Sequence, residues 1–286
     1  MATTMAHDQP VVLVTTGTGH QFELIRAEAE NPLATLLWLP GMGISAQHYI
    51  PVARALSGHG LEVYIHEWRG NGSSNLRARR DINWGYRELL LEDLAAAIAA
   101  VRSRTGNDGV ILGGHSLGAQ FACLAAALQP GTCTALVITA GGTPYWRAYP
   151  MPMKLALPAA FAAFSLITSL AGYYPGKRLG FAGNEARGVI SDWVRTGRTG
   201  RYHLPEIETD LEAAMARLAV PVLALWMADD RFVPHGPVDW LTSKLSGCEV
   251  AIEVLNSDDL GGRADHYRWM NQPEILAARI AMFARP

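Results

Sequence analysis

The apolar positions of the chain follow two periods. Val11–Thr15 and Phe22–Ala27 alternate or run apolar and predict a pair of strands. Thr35–Leu39, Leu61–His66, Val110–Leu112, Ala135–Thr139, Val220–Met227 and Val250–Leu255 are short apolar runs, which predict strands. Helical spacing takes over in His48–Leu56, Trp84–Arg102, the segment from Ala119, Val238–Leu245 and Pro273–Phe283. In the second of these, Leu90, Leu94, Ile98 and Val101 mark one face. Strands that alternate with helices predict a mostly parallel sheet covered on both sides.

The alternation stops at Gly141. Residues 143–208 are aromatic and Ala-rich, with helical stretches and no convincing strand. They predict a helical lid over a core made of residues 1–142 and 209–286. Within the insertion, Leu155 to Gly176 carries no charge, a length that could cross a bilayer. Its many alanines, with Pro158, Ser165, Thr168, Ser169 and Gly172, make it only modestly apolar, so lid or buried helices are expected rather than a span.

Composition narrows the class. The chain has 286 residues, 49% of them hydrophobic, and a net charge of −2. That length fits one large domain or a domain with an insertion, and that much apolar content argues against disorder. The near-neutral charge argues against nucleic acid as a partner. Arg77, Arg79 and Arg80 form a basic cluster that reads as a solvated loop. Cys123, Cys133 and Cys248 form no CxxC and no Cys/His metal pattern, and their odd number fits a reduced compartment. The opening "MATTMAHDQP" lacks a basic start and an apolar run, so no signal peptide is expected and a cytoplasmic location is. No cofactor or metal is expected, and the partner is a small-molecule substrate, with a homodimer left open.

The chemistry concentrates in "GVILGGHSLGAQFACLAAAL", which starts at Gly109. A buried strand turns into a helix within Gly113–Gly118, and only a sharp bend does that. Glycines flank the bend because a Cβ there would clash. This arrangement pushes the Ser116 hydroxyl out at the top of a sheet as a nucleophile. Such a serine needs a base, and the base needs a carboxylate to hold its tautomer. The acid is expected after a late strand, and "VPVLALWMADDRFVP" supplies Asp229 and Asp230. Asp230 is the chosen acid, with Asp229 as the alternative. The base is expected from the last loop, where His266 precedes "NQPE". Two backbone N–H groups are expected to form the oxyanion hole, those of Leu117 and of Met42 in "PGMG".

Taken together, "GHSLG", "LPGMG", "RGNGSS", "ADDRFVP" and "DHYRWMNQPE", in this order, resemble the α/β-hydrolase fold enzymes over nearly the whole chain. The resemblance implies a mainly parallel eight-stranded sheet with antiparallel first strands, a lid after the sixth strand, and a Ser-Asp-His triad. More narrowly, "GGTPYW" and "GYYPGKRLG" resemble a bacterial group of predicted α/β hydrolases with no settled substrate. Many relatives have His-Gly where this chain has Pro40-Gly41, so the side-chain support of that loop is expected to differ. Haloalkane dehalogenases and epoxide hydrolases carry an aspartate where Ser116 stands, which argues against their chemistry.

The expected function is therefore a serine hydrolase that cleaves a carboxylic ester of a small, partly apolar substrate through an acyl-enzyme. An acyltransferase with an alcohol or amine acceptor is the alternative, since the same triad serves both. A catalytically silent binding protein on this scaffold is a third reading. Tyr145 and Trp146, which open the lid, are the expected substrate-binding residues, with His48 and Tyr49 as further candidates.

Overall fold

The computed structural model describes residues 9–106 and 109–285. The strands are β1 (Val11–Thr15), β2 (Gln21–Ala27), β3 (Ala34–Leu39), β4 (Leu61–Ile65) and β5 (Val110–His115). They continue with β6 (Cys133–Thr139), β7 (Tyr173–Pro175), β8 (Asn184–Ala186), β9 (Val222–Met227) and β10 (Val250–Leu255). Eight of them form one sheet in the order β1-β2-β4-β3-β5-β6-β9-β10. β2 pairs antiparallel with both β1 and β4, and every other neighbour is parallel. This is the mostly parallel sheet that the strand–helix alternation predicts, with the eight strands and antiparallel start that the resemblance implies.

The longer helices are α1 (Ile50–Gly58), α2 (Ala95–Thr105), α3 (Leu117–Leu128), α4 (Met153–Ala171), α5 (Arg187–Thr199), α6 (His235–Thr242) and α7 (Pro273–Phe283); α4 and α5 pack on each other between β6 and β9, and the others flank the sheet. The central strands are apolar throughout because each face meets a layer of helices. Leu37, Leu39, Leu112, Leu136 and Ile138 enter one core with α3. Leu36, Trp38, Ile111, Val137 and Leu225 enter the other, against α1 and α7.

Two elements differ from expectation. The helix expected over 84–102 is instead a turn of α-helix at Tyr86–Glu88, a π-helical stretch over Leu89–Leu94, and then α2. The wider π-turn carries Asp93, fully buried and bonded to His20 and Arg69. Between β6 and β9, where no strand is expected, β7 and β8 pair antiparallel, with Tyr174 opposite Glu185. At three residues each they are too short to show a period of two.

Candidate active site

β5 ends at His115 and α3 begins at Leu117, so one residue, Ser116, makes the turn. Its φ of +56° is a conformation that side-chain-bearing residues rarely hold. The backbone survives there because the turn is bonded on both sides: Ser116 N donates to Thr139 O (3.1 Å) and its carbonyl accepts from Ala119 N (3.2 Å). A Cβ on Gly118 would stand 2.0 Å from Leu39 O, and one on Gly114 2.7 Å from the same atom. The glycines of "GHSLG" thus let α3 start against the end of β3.

Three chain-distant residues meet at this turn. The Ser116 hydroxyl donates to Nε2 of His266 over 3.1 Å. Nδ1 of His266 donates to Oδ2 of Asp230 over 2.7 Å. The other Asp230 oxygen accepts from the backbone N–H groups of Phe232 (2.8 Å) and Val233 (2.9 Å). Asp230 is buried, and this turn fixes its carboxylate. With Nδ1–H committed to Asp230, the Nε2 lone pair of neutral His266 faces the serine.

Asp229 does different work. It is exposed, its N–H donates to Ala264 O (2.9 Å), and its carboxylate accepts from Ala264 N (3.1 Å). Asp229 therefore ties the loop after β9 to the loop that carries His266, two residues before the histidine. Trp269 adds a second tie, its indole N–H donating to His266 O (2.9 Å).

The loop after β3 is held from below. Trp68 Nε1 donates to Pro40 O (2.8 Å), and Gly41 N donates to the Tyr49 hydroxyl (2.9 Å). Glu67 accepts from the N–H of Ala46 (3.2 Å) and of Trp68 (3.2 Å). Burial pushes the Glu67 carboxyl up to about 7, against the pull of those N–H groups. These bonds are the side-chain support of the loop that carries Pro40-Gly41 in this chain. Having accepted from Gly41, the Tyr49 hydroxyl gives its own proton to Nδ1 of His115 (2.7 Å). Burial, and then the neighbouring His266, hold the His115 ring well below the usual range, so it stays neutral under the site. Met42 and Leu117 both line the cavity in front of Ser116. Among the described residues, neither backbone N–H has a protein acceptor.

That cavity holds about 610 Å³, counting its open mouth. Tyr149, Phe181, Trp193, Phe232 and Tyr267 give it apolar walls, and Gln120 adds a polar side chain to those of Ser116 and His266. The Gln120 carbonyl accepts from the Tyr202 hydroxyl (2.9 Å). Among the described residues no carboxylate lines the cavity.

The four expected substrate-binding residues lie elsewhere. Tyr49 is fully enclosed beneath the loop that it supports. His48 is exposed and bonded to Ser45 (3.0 Å). Tyr145 packs on Trp240 with ring centres 4.6 Å apart. Trp146 packs into the small aromatic core of the insertion, with Arg147 over its ring at 5.0 Å. The cavity takes Tyr149 instead, one turn further on, its hydroxyl fixed on Phe232 O (3.1 Å). Phe232 could be anticipated, since it stands two residues after Asp230 in the same loop. Phe181 and Trp193 had no sequence signal beyond being aromatic.

The insertion touches the site through backbone. Gly43 (φ +73°) faces Gly183, and a Cβ on Gly43 would stand 1.9 Å from Gly183 N. Phe181 and Trp193, with ring centres 6.2 Å apart, both line the cavity.

Known proteins agree with this architecture. The chain superposes on a hydrolase from Pseudomonas aeruginosa PA01 with a TM-score of 0.61 at 16% identity, covering 97% of this chain and 99% of that one. It superposes on the esterase domain of a Rhodothermus marinus protein with a TM-score of 0.61 at 15% identity, covering 98% of each. A thioesterase domain from the curacin biosynthetic pathway gives a TM-score of 0.59 at 14% identity, over 97% of this chain and 99% of that one. At such identities these likenesses speak for the fold. No curated protein matches the chain. The profile of the serine aminopeptidase S33 family matches residues 30–179, which spans β3 through the nucleophile turn and into the insertion. With that match over more than half its length, on an α/β-hydrolase sheet, the chain belongs to the serine aminopeptidase S33 family of α/β hydrolases.

Proposed function

We propose that this α/β hydrolase cleaves a carboxylic ester of a small, partly apolar acyl substrate through an acyl-enzyme on Ser116. The observation that carries the reading is the continuous bond chain Ser116–His266–Asp230 opening into an apolar cavity. His266 takes the Ser116 proton as the hydroxyl attacks the carbonyl, and Asp230 stabilises the resulting imidazolium. The N–H groups of Met42 and Leu117 receive the oxyanion. His266 then protonates the leaving alcohol, and a water, activated by the same ring, releases the acid. Residues 143–208 act as the lid and supply Tyr149, Phe181 and Trp193 to the acyl pocket.

An ester fits this cavity better than a peptide N-terminus. A substrate ammonium group needs a carboxylate partner when it leaves water, and none lines the cavity among the described residues. The test is fluorophosphonate labelling of wild type and of Ser116→Ala, followed by turnover of p-nitrophenyl esters and of aminoacyl p-nitroanilides. Labelling confined to wild type, with esters turned over and anilides spared, is the expected result. Labelling of both proteins overturns the nucleophile, and faster anilide turnover overturns the ester. Product analysis with added alcohol tells hydrolysis from acyl transfer.

A further inference from the structure

Helix α4 breaks the rule that a surface helix hides its apolar side. It runs 19 residues and is apolar along most of them, yet only Phe161 and Thr168 are buried. A helix apolar all round belongs in a core or in lipid. Its inner side carries Phe161 and Phe164, which pack on Trp193 at 5.3 and 5.7 Å between ring centres. Trp193 in turn lines the cavity. Its outer side presents Leu155, Leu166 and Leu170, exposed by 65%, 61% and 68%, with exposed alanines, Pro158 and Ser169 between them. Leu155, Leu166 and Leu170 fall near the same side of the helix because their separations approximate whole turns. Met151 and Leu179, exposed by 64% and 51%, flank the helix in sequence.

Charge distinguishes what covers this side. Residues 140–184 contain no aspartate or glutamate, although the whole chain is net −2. They contain Arg147 and Lys154 toward the start of α4, and Lys177 and Arg178 just beyond its end. Arg80 joins them from the core, its guanidinium bonded to Leu170 O at the helix end (2.5 Å). A neutral apolar strip with cations at both ends matches the surface of an anionic bilayer, whose headgroups hold the cations while the strip sinks among the acyl chains. A protein partner with a plain apolar face would leave those cations unpaired.

We propose that α4 and its basic ends dock this protein peripherally on an anionic phospholipid surface, with the mouth of the Ser116 cavity held close to the lipid. The helix does not span: its inner side is already occupied by the aromatic layer.

Co-sedimentation of the full chain with phosphatidylcholine vesicles, with and without phosphatidylserine, tests the docking directly. Binding is expected to the phosphatidylserine vesicles and to weaken as salt rises. Replacing Leu155, Leu166 and Leu170 together by glutamate should lower vesicle affinity by about tenfold or more. Lys177→Glu with Arg178→Glu should cost about fivefold or more for each cation lost. These exposed positions lie outside the cavity, so fluorophosphonate labelling of Ser116 in each variant reports an intact fold and keeps this test separate from that of the ester reading. Wild type that ignores both vesicles overturns the proposal, as does equal binding to both with no effect of the charge reversals. So does a wild-type dimer in solution that the leucine variant dissociates while vesicles are ignored, since the strip would then be a contact between copies.

Discussion

Two serine–histidine–aspartate arrays stand in this molecule with nearly the same distances. At one, Ser116 Oγ is 3.1 Å from His266 Nε2, and His266 Nδ1 is 2.7 Å from Asp230. At the other, Ser74 Oγ is 2.9 Å from His20 Nε2, and His20 Nδ1 is 2.8 Å from Asp93. Their surroundings separate them. The Ser74 oxygen also accepts from Gly70 N (3.0 Å) and Leu76 N (3.2 Å), and the residue is buried. Asp93 is gripped by Arg69 at 2.9 and 2.6 Å. Burial pushes the Asp93 carboxyl up, but the bonds from His20 and Arg69 outweigh it and hold it below the usual range. That array is a buried polar network inside a core, and none of its three residues lines the cavity in front of Ser116. Ser116 instead sits on a strained turn before a cavity, with two N–H groups that have no acceptor among the described residues. Bond distances make a network; access and waiting donors turn it into a site.

The comparison can be broken most decisively at the two serines. Ser116→Ala should lower ester turnover by about 10⁶, as loss of a triad nucleophile does. Ser74→Ala should leave turnover near wild type and instead reduce stability. Comparable losses of turnover would erase the distinction drawn here.

The acids come next. Asp230→Asn should cost about 10⁴ in turnover, because His266 would lose its tautomer. Asp229→Asn should cost far less, acting through the tie to Ala264. The opposite ranking in steady-state kinetics would assign the histidine to Asp229.

Asp93→Asn should act on folding. It removes the buried carboxylate that takes two bonds from Arg69 and leaves Glu92 (3.0 Å) as that guanidinium's remaining carboxylate, so the cost should be about 3 kcal/mol, the low end for a broken buried pair. Urea denaturation reads the loss, and active-site titration should find the folded fraction turning over normally. A stable variant with depressed turnover would mean that this network serves the chemistry.

The smallest effect concerns Glu67. Its raised pKa, about 7, means that folding favours the neutral acid. Stability gained that way is complete below the ordinary carboxyl range and is lost as pH rises through about 7. Wild type should therefore lose stability relative to Glu67→Gln as pH rises from about 5 to about 8. A difference that stays level with pH would show that Glu67 does not titrate in this window.

Much of this was legible in the letters. The inner sheet strands announced themselves because parallel strands buried on two faces are apolar without interruption, as in Leu36–Leu39 and Val110–Leu112. Ser116, Asp230 and His266 could be brought together because a sheet of this order delivers its loops to one edge. The choice of pocket residues had no such guide. Tyr145 and Tyr149 lie four residues apart and read alike, and only the path of the chain after β6 sends one to Trp240 and the other to the cavity. The π-helical stretch was equally silent, since its cause is Asp93 reaching partners 73 and 24 positions away.

The contact between Gly43 and Gly183 carries one more consequence. Two backbones that touch with no side chain between them share a single free-energy surface: whatever favours one arrangement of the β7–β8 segment favours the matching arrangement of the loop at Met42. Variation in the insertion would then not be confined to which molecules are held. It would also be felt in how fast they react, and chains descended from this one could not readily exchange one trait without disturbing the other.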